Sequence, residues 1–246
     1  MKTLVCGDIH CKPYMLTRAL GCRKWDRFVF LGDACDNFGA TQEDNIQIIK
    51  LLIETKKKYG DKFIWLIGNH DWGYYDNSIN MTGHITAGSS SVEYLLKENR
   101  EMWDLFFCDG KRIYSHAGIS LSFIHETSKI PAKELKENIG VNNPMNNVGF
   151  ACGGYSSAPS LIWARPDEIE KLPLDDIQIV GHTPVEKITA MKEKSLVICD
   201  TMSQYKDGSF IGDHFGSLCG AAGQGEGGDR ALVSQEGHGF ARMIFD

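Results

Sequence analysis

The sequence predicts an α/β fold built on a mostly parallel sheet, and two observations carry that prediction. Short apolar runs alternate with segments of helical periodicity: Thr3–Cys6, then 13–20, Phe28–Leu31, 41–59 and Phe63–Ile67. Strand, helix, strand in that order implies right-handed crossovers between parallel neighbours. The second observation is that five apolar runs end alike, each on a Gly or Ala beside a metal-type or acid/base side chain. These ends are Gly7-Asp8-Ile9-His10, Gly32-Asp33-Ala34-Cys35-Asp36, Gly68-Asn69-His70-Asp71, Ser115-His116-Ala117-Gly118 and Gly181-His182-Thr183-Pro184. Ligands of open α/β sheets bind at such strand ends.

The bulk numbers bound the rest. A chain of 246 residues, 42% hydrophobic and 24% charged, suffices for one large domain with a full core, and motifs running from 7 to 184 favour a single domain over 1–246. A formal net charge of −6 gives no general pull toward nucleic acid, and no apolar stretch approaches the ~20 residues of a membrane span. The N-terminus opens on a strand rather than a signal core, so a cytoplasmic location is expected. The eight cysteines contain no CxxC pair and several lie in apolar runs, which reads as buried free thiols. Oligomeric state is not legible.

Each element has its local reason. Thr3–Cys6 is a first strand, and Asp8 and His10, two residues apart, would share a side in extended backbone. Pro13 opens a helix that Gly21 closes. Thr41–Tyr59 carries Ile46, Ile49, Leu52 and Ile53 at helical spacing, with Lys56, Lys57 and Lys58 at the negative end of its dipole. Phe63–Ile67 is apolar on both faces, as a covered strand should be. Residues 72–91, rich in Tyr, Asn, Ser, Thr and Gly, read as a long loop over the site; His84 within it is read as solvated, with substrate contact as the alternative. Residues 92–107 read as helix with Val92, Leu95, Leu96, Trp103 and Phe106 toward the core, although Asp109-Gly110 also signals a hairpin turn between Phe106-Phe107 and Arg112–Tyr114. Residues beyond Pro131 read as helix to Gly140, 141–160 as irregular and Leu161–Trp163 as a short apolar strand. Leu196–Asp200 reads as a late strand, Gly208–Gly228 as a loop and Ala241–Phe245 as an edge strand.

The strand-end residues Asp8, His10, Asp33, Asn69, His116 and His182, with Asp36 and His70 close by, form a mixed oxygen and nitrogen donor set. Such a set suits a pair of divalent ions, Mn foremost, with Fe, Co, Ni or Zn possible, rather than a thiolate site. Asp33 is placed to bridge them. Two ions roughly 3.5–4 Å apart can hold a phosphate oxygen and a hydroxide nucleophile together.

In this order, GDIH, GDACD, GNHD, SHAG and GHTP resemble the motifs of the calcineurin-like metallophosphoesterase superfamily, in particular its phosphoprotein phosphatase branch, which includes bacterial and phage serine/threonine phosphatases and diadenosine tetraphosphate hydrolases. The resemblance implies a four-layer αββα sandwich of two mixed sheets flanked by helices. It implies one ion on Asp8, His10 and Asp33 and a second on Asp33, Asn69, His116 and His182. His70 would protonate the leaving oxygen, with Asp36 fixing its tautomer. Thr183 stands where many members have a second histidine, so the first ion would be the labile one.

One departure concerns substrate. The branch continues the second motif with an arginine that grips phosphate; here that position is Asn37, which cannot make a bidentate charged contact. Arg165, held between Leu161–Trp163 and Pro166, is nominated instead, against a plain pairing with Asp167 or Glu168. The leading reading is a serine/threonine phosphatase-like phosphomonoesterase acting on a phosphorylated protein or small molecule. The alternatives are a nucleotide or diadenosine tetraphosphate hydrolase, which Trp72, Tyr74 and Tyr75 could serve by stacking or else merely pack; a nuclease or phosphodiesterase, disfavoured by the net charge; and a catalytically inactive binding module.

Overall fold

The computed structural model describes residues 1–21, 25–76, 83–110, 112–125, 159–172, 177–201 and the backbone of 231–233 and 243–245. Strands β1 (Thr3–Cys6), β2 (Arg27–Phe30), β3 (Phe63–Leu66) and β4 (Trp103–Asp104) pair in parallel. Helices α1 (Pro13–Leu20) and α2 (Gln42–Tyr59) form two of the crossovers. Two late strands, β10 (Ala231–Val233) and β11 (Met243–Phe245), extend this sheet in the order β10-β11-β1-β2-β3-β4, with β11 antiparallel to β1. The expected C-terminal edge strand is therefore flanked on both sides rather than an edge. A second sheet has the order β5-β6-β7-β9-β8 and comprises β5 (Phe106–Cys108), β6 (Arg112–Ser115), β7 (Ile177–Val180), β8 (Thr189–Met191) and β9 (Leu196–Ile198). The core of this sheet is parallel, β6-β7-β9, with antiparallel edges.

Side-chain alternation on the strands divides the core. Val5, Val29 and Leu66 of the first sheet, with Leu31 just past the end of β2, meet Tyr114, Ile179 and Val197 of the second. The opposite face of the first sheet, Leu4, Cys6, Phe28, Phe30, Phe63 and Trp65, packs on Met15 and Leu16 of α1, on Ile49 and Leu52 of α2, and on Val92 and Leu96 of a helix at Ser89–Glu98. Val180, Leu196 and Ile198 pack outward on Ala117, Ala164 and Ile169. Two mixed sheets face to face and flanked by helices are the architecture that the motifs imply.

Several expectations need correction. Residues 72–75 are helical, in α3 (Asn69–Tyr75), because Trp72 and Tyr74 bury themselves, and α4 (Ser89–Glu98) begins before the expected loop ends. This helix does not run on to 107: the Asn99 side chain donates to the Leu95 carbonyl at 2.8 Å and stops it. Trp103 and Phe106 then lie in β4 and β5, where the predicted hairpin does form, Phe107 opposite Tyr114. Leu161–Trp163 is a turn, with the Trp163 and Ala164 N–H groups both reaching the Ser160 carbonyl at 2.8 Å; its apolar run reflects burial, not a strand. The buried stripe of α2 includes Asn45 and Ile48, while Ile46 is half-buried. The expected helix beyond Pro131, nearly all of the irregular 141–160 stretch and the Gly-rich 208–228 segment lie outside the described residues. Among the described residues no helix is long and apolar enough to cross a membrane.

Candidate metal centre

The five motif loops meet at the C-terminal ends of β1, β2, β3, β6 and β7. Close backbone approach makes this possible. A Cβ at Gly68 would lie 2.1 Å from Asp33 Oδ1, and one at Gly181 2.1 Å from Asp8 Oδ1, so a side chain at either position would displace the facing carboxylate. His10 (φ 40°), Asp33 (φ 54°), Asp36 (φ 60°) and His182 (φ 63°) occupy the left-handed region that non-glycine residues avoid. Such residues cost of order 1–3 kcal/mol each and persist only where their surroundings fix them. At His10 the fixing is visible: the Ile9 and His10 N–H groups donate to the Asp33 carbonyl at 3.1 and 3.0 Å. Asp8 and His10 thus converge through a turn, not through extended backbone.

The acidic and imidazole donors fall into two buried groups with one member in common. Ligand atoms of Asp8, His10 and Asp33 lie within 4.8 Å of one another, as do those of Asp33, His116 and His182. Asn69 Oδ1 sits 3.0 Å from His116 Nε2, so the amide joins the second group. All the residues expected to hold metal are therefore brought together.

The hydrogen bonds around the imidazoles fix which nitrogen faces inward. His10 Nδ1 donates to the Cys35 and Asp36 carbonyls at 3.0 and 2.8 Å, leaving the Nε2 lone pair toward Asp33 Oδ2 at 3.9 Å. His116 Nδ1 donates to the Leu31 carbonyl at 3.0 Å, leaving Nε2 3.3 Å from Asp33 Oδ2. Buried His182 Nε2 has no hydrogen-bond partner among the described residues. Burial pushes His10 down to about 4, and burial with His116 and Arg165 pushes His182 well below its ordinary value, so both rings are neutral. Burial and the neighbouring Asp200 and Asp33 carboxylates push Asp8 up. Burial also opposes ionisation of Asp33, but the imidazoles of His116 and His70 hold it well below the carboxylate range. Converging lone pairs with too few protons between them are a setting that a cation satisfies, and the donor set fits a divalent ion.

Beside this cluster, His70 Nδ1 lies 3.0 Å from Asp36 Oδ2. Burial alone would lower His70, yet Asp33 and Asp36 raise it to about 9. Arg165 Nη1 donates to the His182 carbonyl at 3.3 Å and to Thr183 Oγ1 at 3.4 Å. Glu168 accepts the Arg165 backbone N–H at 2.7 Å, and no ion pair joins it or Asp167 to the guanidinium among the described residues. Asn37 is half-buried in the turn that its carbonyl closes with the Ala40 N–H, and its amide makes no hydrogen bond among the described residues.

Four further residues shape the site in supporting roles that the sequence reading did not assign. Asp71 accepts the Ala34 and Cys35 N–H groups, both at 2.9 Å, and Gly68 N–H at 3.2 Å. Its carboxylate at the third position of a helix after Gly68 was the available signal. Asn45 and Tyr74 hold Asp36, and Asp200 brings a buried carboxylate toward Asp8. A polar residue in the apolar stripe of α2 would have flagged Asn45. Trp72 and Tyr74 are buried and Tyr75 packs on Trp103 at 5.0 Å, so these aromatics are packing, not an open stacking face.

The family model for calcineurin-like phosphoesterases matches residues 1–217. The chain belongs to the calcineurin-like phosphoesterases. As a member, it is a metal-dependent phosphoester hydrolase. The phosphoesterase fold recurs in a cold-active protein-tyrosine phosphatase of a psychrophilic Shewanella sp., 16% identical, with 85% of this chain and 72% of that one covered at a TM-score of 0.55. A protein serine/threonine phosphatase from Saccharomyces cerevisiae with similarity to human phosphatase PP5 is 14% identical over 82% of this phosphoesterase and 67% of that chain, at a TM-score of 0.52.

Proposed function

We propose that the protein is a phosphomonoesterase, serine/threonine phosphatase-like in substrate class, that works with two divalent ions sharing Asp33. In this reading Asp8, His10 and Asp33 hold one ion, and Asp33, Asn69, His116 and His182 hold the other. The observation that carries it is the membership of Asp33 in both buried donor groups. Burial pushes the nearby Cys11 thiol up to about 12 and the Cys35 thiol well up, so neither offers a thiolate, and the oxygen and nitrogen donors favour Mn. When bound, such ions supply Lewis acidity to phosphate oxygens and lower the pKa of water.

The side chains of the protein supply the rest. His70, tied through Nδ1 to Asp36, keeps Nε2 free to hold a proton for the leaving oxygen. Arg165 is anchored beside His182 by one nitrogen, leaving the other guanidinium N–H groups for a phosphate oxygen that Asn37 cannot reach as a cation. The likeness of the fold to protein phosphatases agrees with a phosphorylated protein as substrate. With Trp72 and Tyr74 packed inside, the nucleotide reading loses its stacking surface. We read 1–246 as one domain. Free thiols at Cys11 and Cys35 suit a cytoplasmic, reducing setting. The test is a substrate panel on Mn-reconstituted protein: p-nitrophenyl phosphate, a phosphoserine peptide, diadenosine tetraphosphate and bis(p-nitrophenyl) phosphate. Monoesters are expected to give the highest kcat/KM; preference for the bis-ester or the dinucleotide would replace this reading.

A further inference from the structure

We propose that Tyr74 is a positioning residue for acid catalysis, its hydroxyl locking the Asp36 carboxylate that orients His70; this rests on the reading of His70 as the acid. Tyr74 is fully buried in α3 and its Oη donates to Asp36 Oδ1 at 2.7 Å, while the other carboxylate oxygen, Oδ2, faces His70 Nδ1 at 3.0 Å. The direction of the phenol proton follows from counting. A tyrosine hydroxyl has one proton and two lone pairs. Asn45 Nδ2 donates to this oxygen at 2.8 Å and the Ile85 backbone N–H at 3.0 Å, so both lone pairs are engaged and the proton is left with Asp36 alone. Burial, with the adjoining Asp36 carboxylate, pushes the hydroxyl up and keeps that proton on.

The support comes from several elements at once. Asn45, on α2, also accepts the Asp36 backbone N–H at 2.9 Å, which holds a residue sitting at φ 60°. The His84 ring stacks on the Tyr74 ring with centroids 4.2 Å apart, and Ile85 follows it directly. Torsion about the carboxylate of an aspartate is broad and soft. With Oδ1 held by Tyr74, Oδ2 cannot swing away from His70, so the ring plane is set before substrate arrives.

Tyr74→Phe keeps the ring and its stack and removes only the hydroxyl. In Mn-loaded protein, hydrolysis of phenyl phosphate, whose leaving group needs a proton, is compared with that of p-nitrophenyl phosphate, whose leaving group does not. The expected result is a loss in kcat of about 10-fold with phenyl phosphate, a fraction of the 10²–10⁴ that full acid catalysis contributes. With p-nitrophenyl phosphate the loss is expected to be several-fold smaller, with KM and metal content unchanged. The ratio of the two rates on one sample is independent of the folded fraction. In a His70→Asn background the added substitution is expected to leave that ratio where His70→Asn puts it. An unchanged ratio for Tyr74→Phe, when His70→Asn shifts it, overturns the role of Tyr74 alone; an unchanged ratio for His70→Asn itself overturns the acid reading beneath it. If Tyr74→Phe does not fold, Asn45→Ser, which removes the donor to the hydroxyl from another helix, is expected to shift the ratio the same way, and no shift there overturns the proposal as well.

Discussion

The carboxylate of Asp71 accepts the backbone N–H of Cys35 at 2.9 Å across 36 residues of chain, and so ties the loop after β2 to the start of α3. The same oxygen takes the Ala34 N–H at 2.9 Å, which makes Asp71 the pin of the loop that presents Asp33 and Asp36. Asp71→Asn weakens charge-assisted bonds worth about 1.5–3 kcal/mol each. A loss of about 2 kcal/mol or more is expected, read by calorimetry as a fall in Tm of ~4–8 °C. A variant with the stability of the parent would show that the pin is dispensable.

Gly181 lies against Asp8 so closely that the added methyl of Gly181→Ala would sit 2.1 Å from Asp8 Oδ1. The carboxylate must move, and a misplaced donor typically costs 10–100-fold in metal affinity. Calorimetric titration with Mn is expected to show that weakening in a folded protein; wild-type affinity would mean that Asp8 does not hold an ion in this orientation.

Arg165→Ala is expected to lower kcat/KM by ~10-fold and to weaken inhibition by free phosphate, with metal content unchanged. Phosphate inhibition equal to that of the parent would leave Arg165 as a brace for the His182 loop only.

The pH dependence of the metal-free protein isolates His70. Asp33 and Asp36 overcome burial and hold it at about 9, above its unfolded value near 6.5. A group raised on folding stabilises fully below its unfolded pKa and loses that contribution as pH rises through the folded one. The stability difference between the parent and His70→Asn, both stripped of metal, should therefore shrink from pH 6 to pH 10. A constant difference would contradict the ion pair with Asp36.

The strands and their motif ends were legible because parallel strands covered on both faces read as unbroken apolar runs, and four of the five runs stop at a glycine that admits close backbone approach, as at Gly68 beside Asp33. What supports the site was less legible. Tyr74 sits among polar loop-type residues, and nothing in its identity announces that it is buried on Asp36. The left-handed backbone at His10 is equally silent, since only glycine or asparagine would have advertised it. Trp103 and Phe106 continue a helical spacing that a single capping residue, Asn99, interrupts. Leu161–Trp163 shows the converse, an apolar run whose burial serves a turn.

Metal titration of the stripped protein tests most directly whether Asp33 is shared. Mn is added stepwise, with bound ions counted by elemental analysis and p-nitrophenyl phosphate hydrolysis followed at each step. Two ions per chain are expected at saturation, with no turnover in the verified metal-free protein and with Asp33→Ala losing both ions and the activity. Turnover by the metal-free protein, or full activity with a single ion that survives Asp33→Ala, would contradict a shared Asp33.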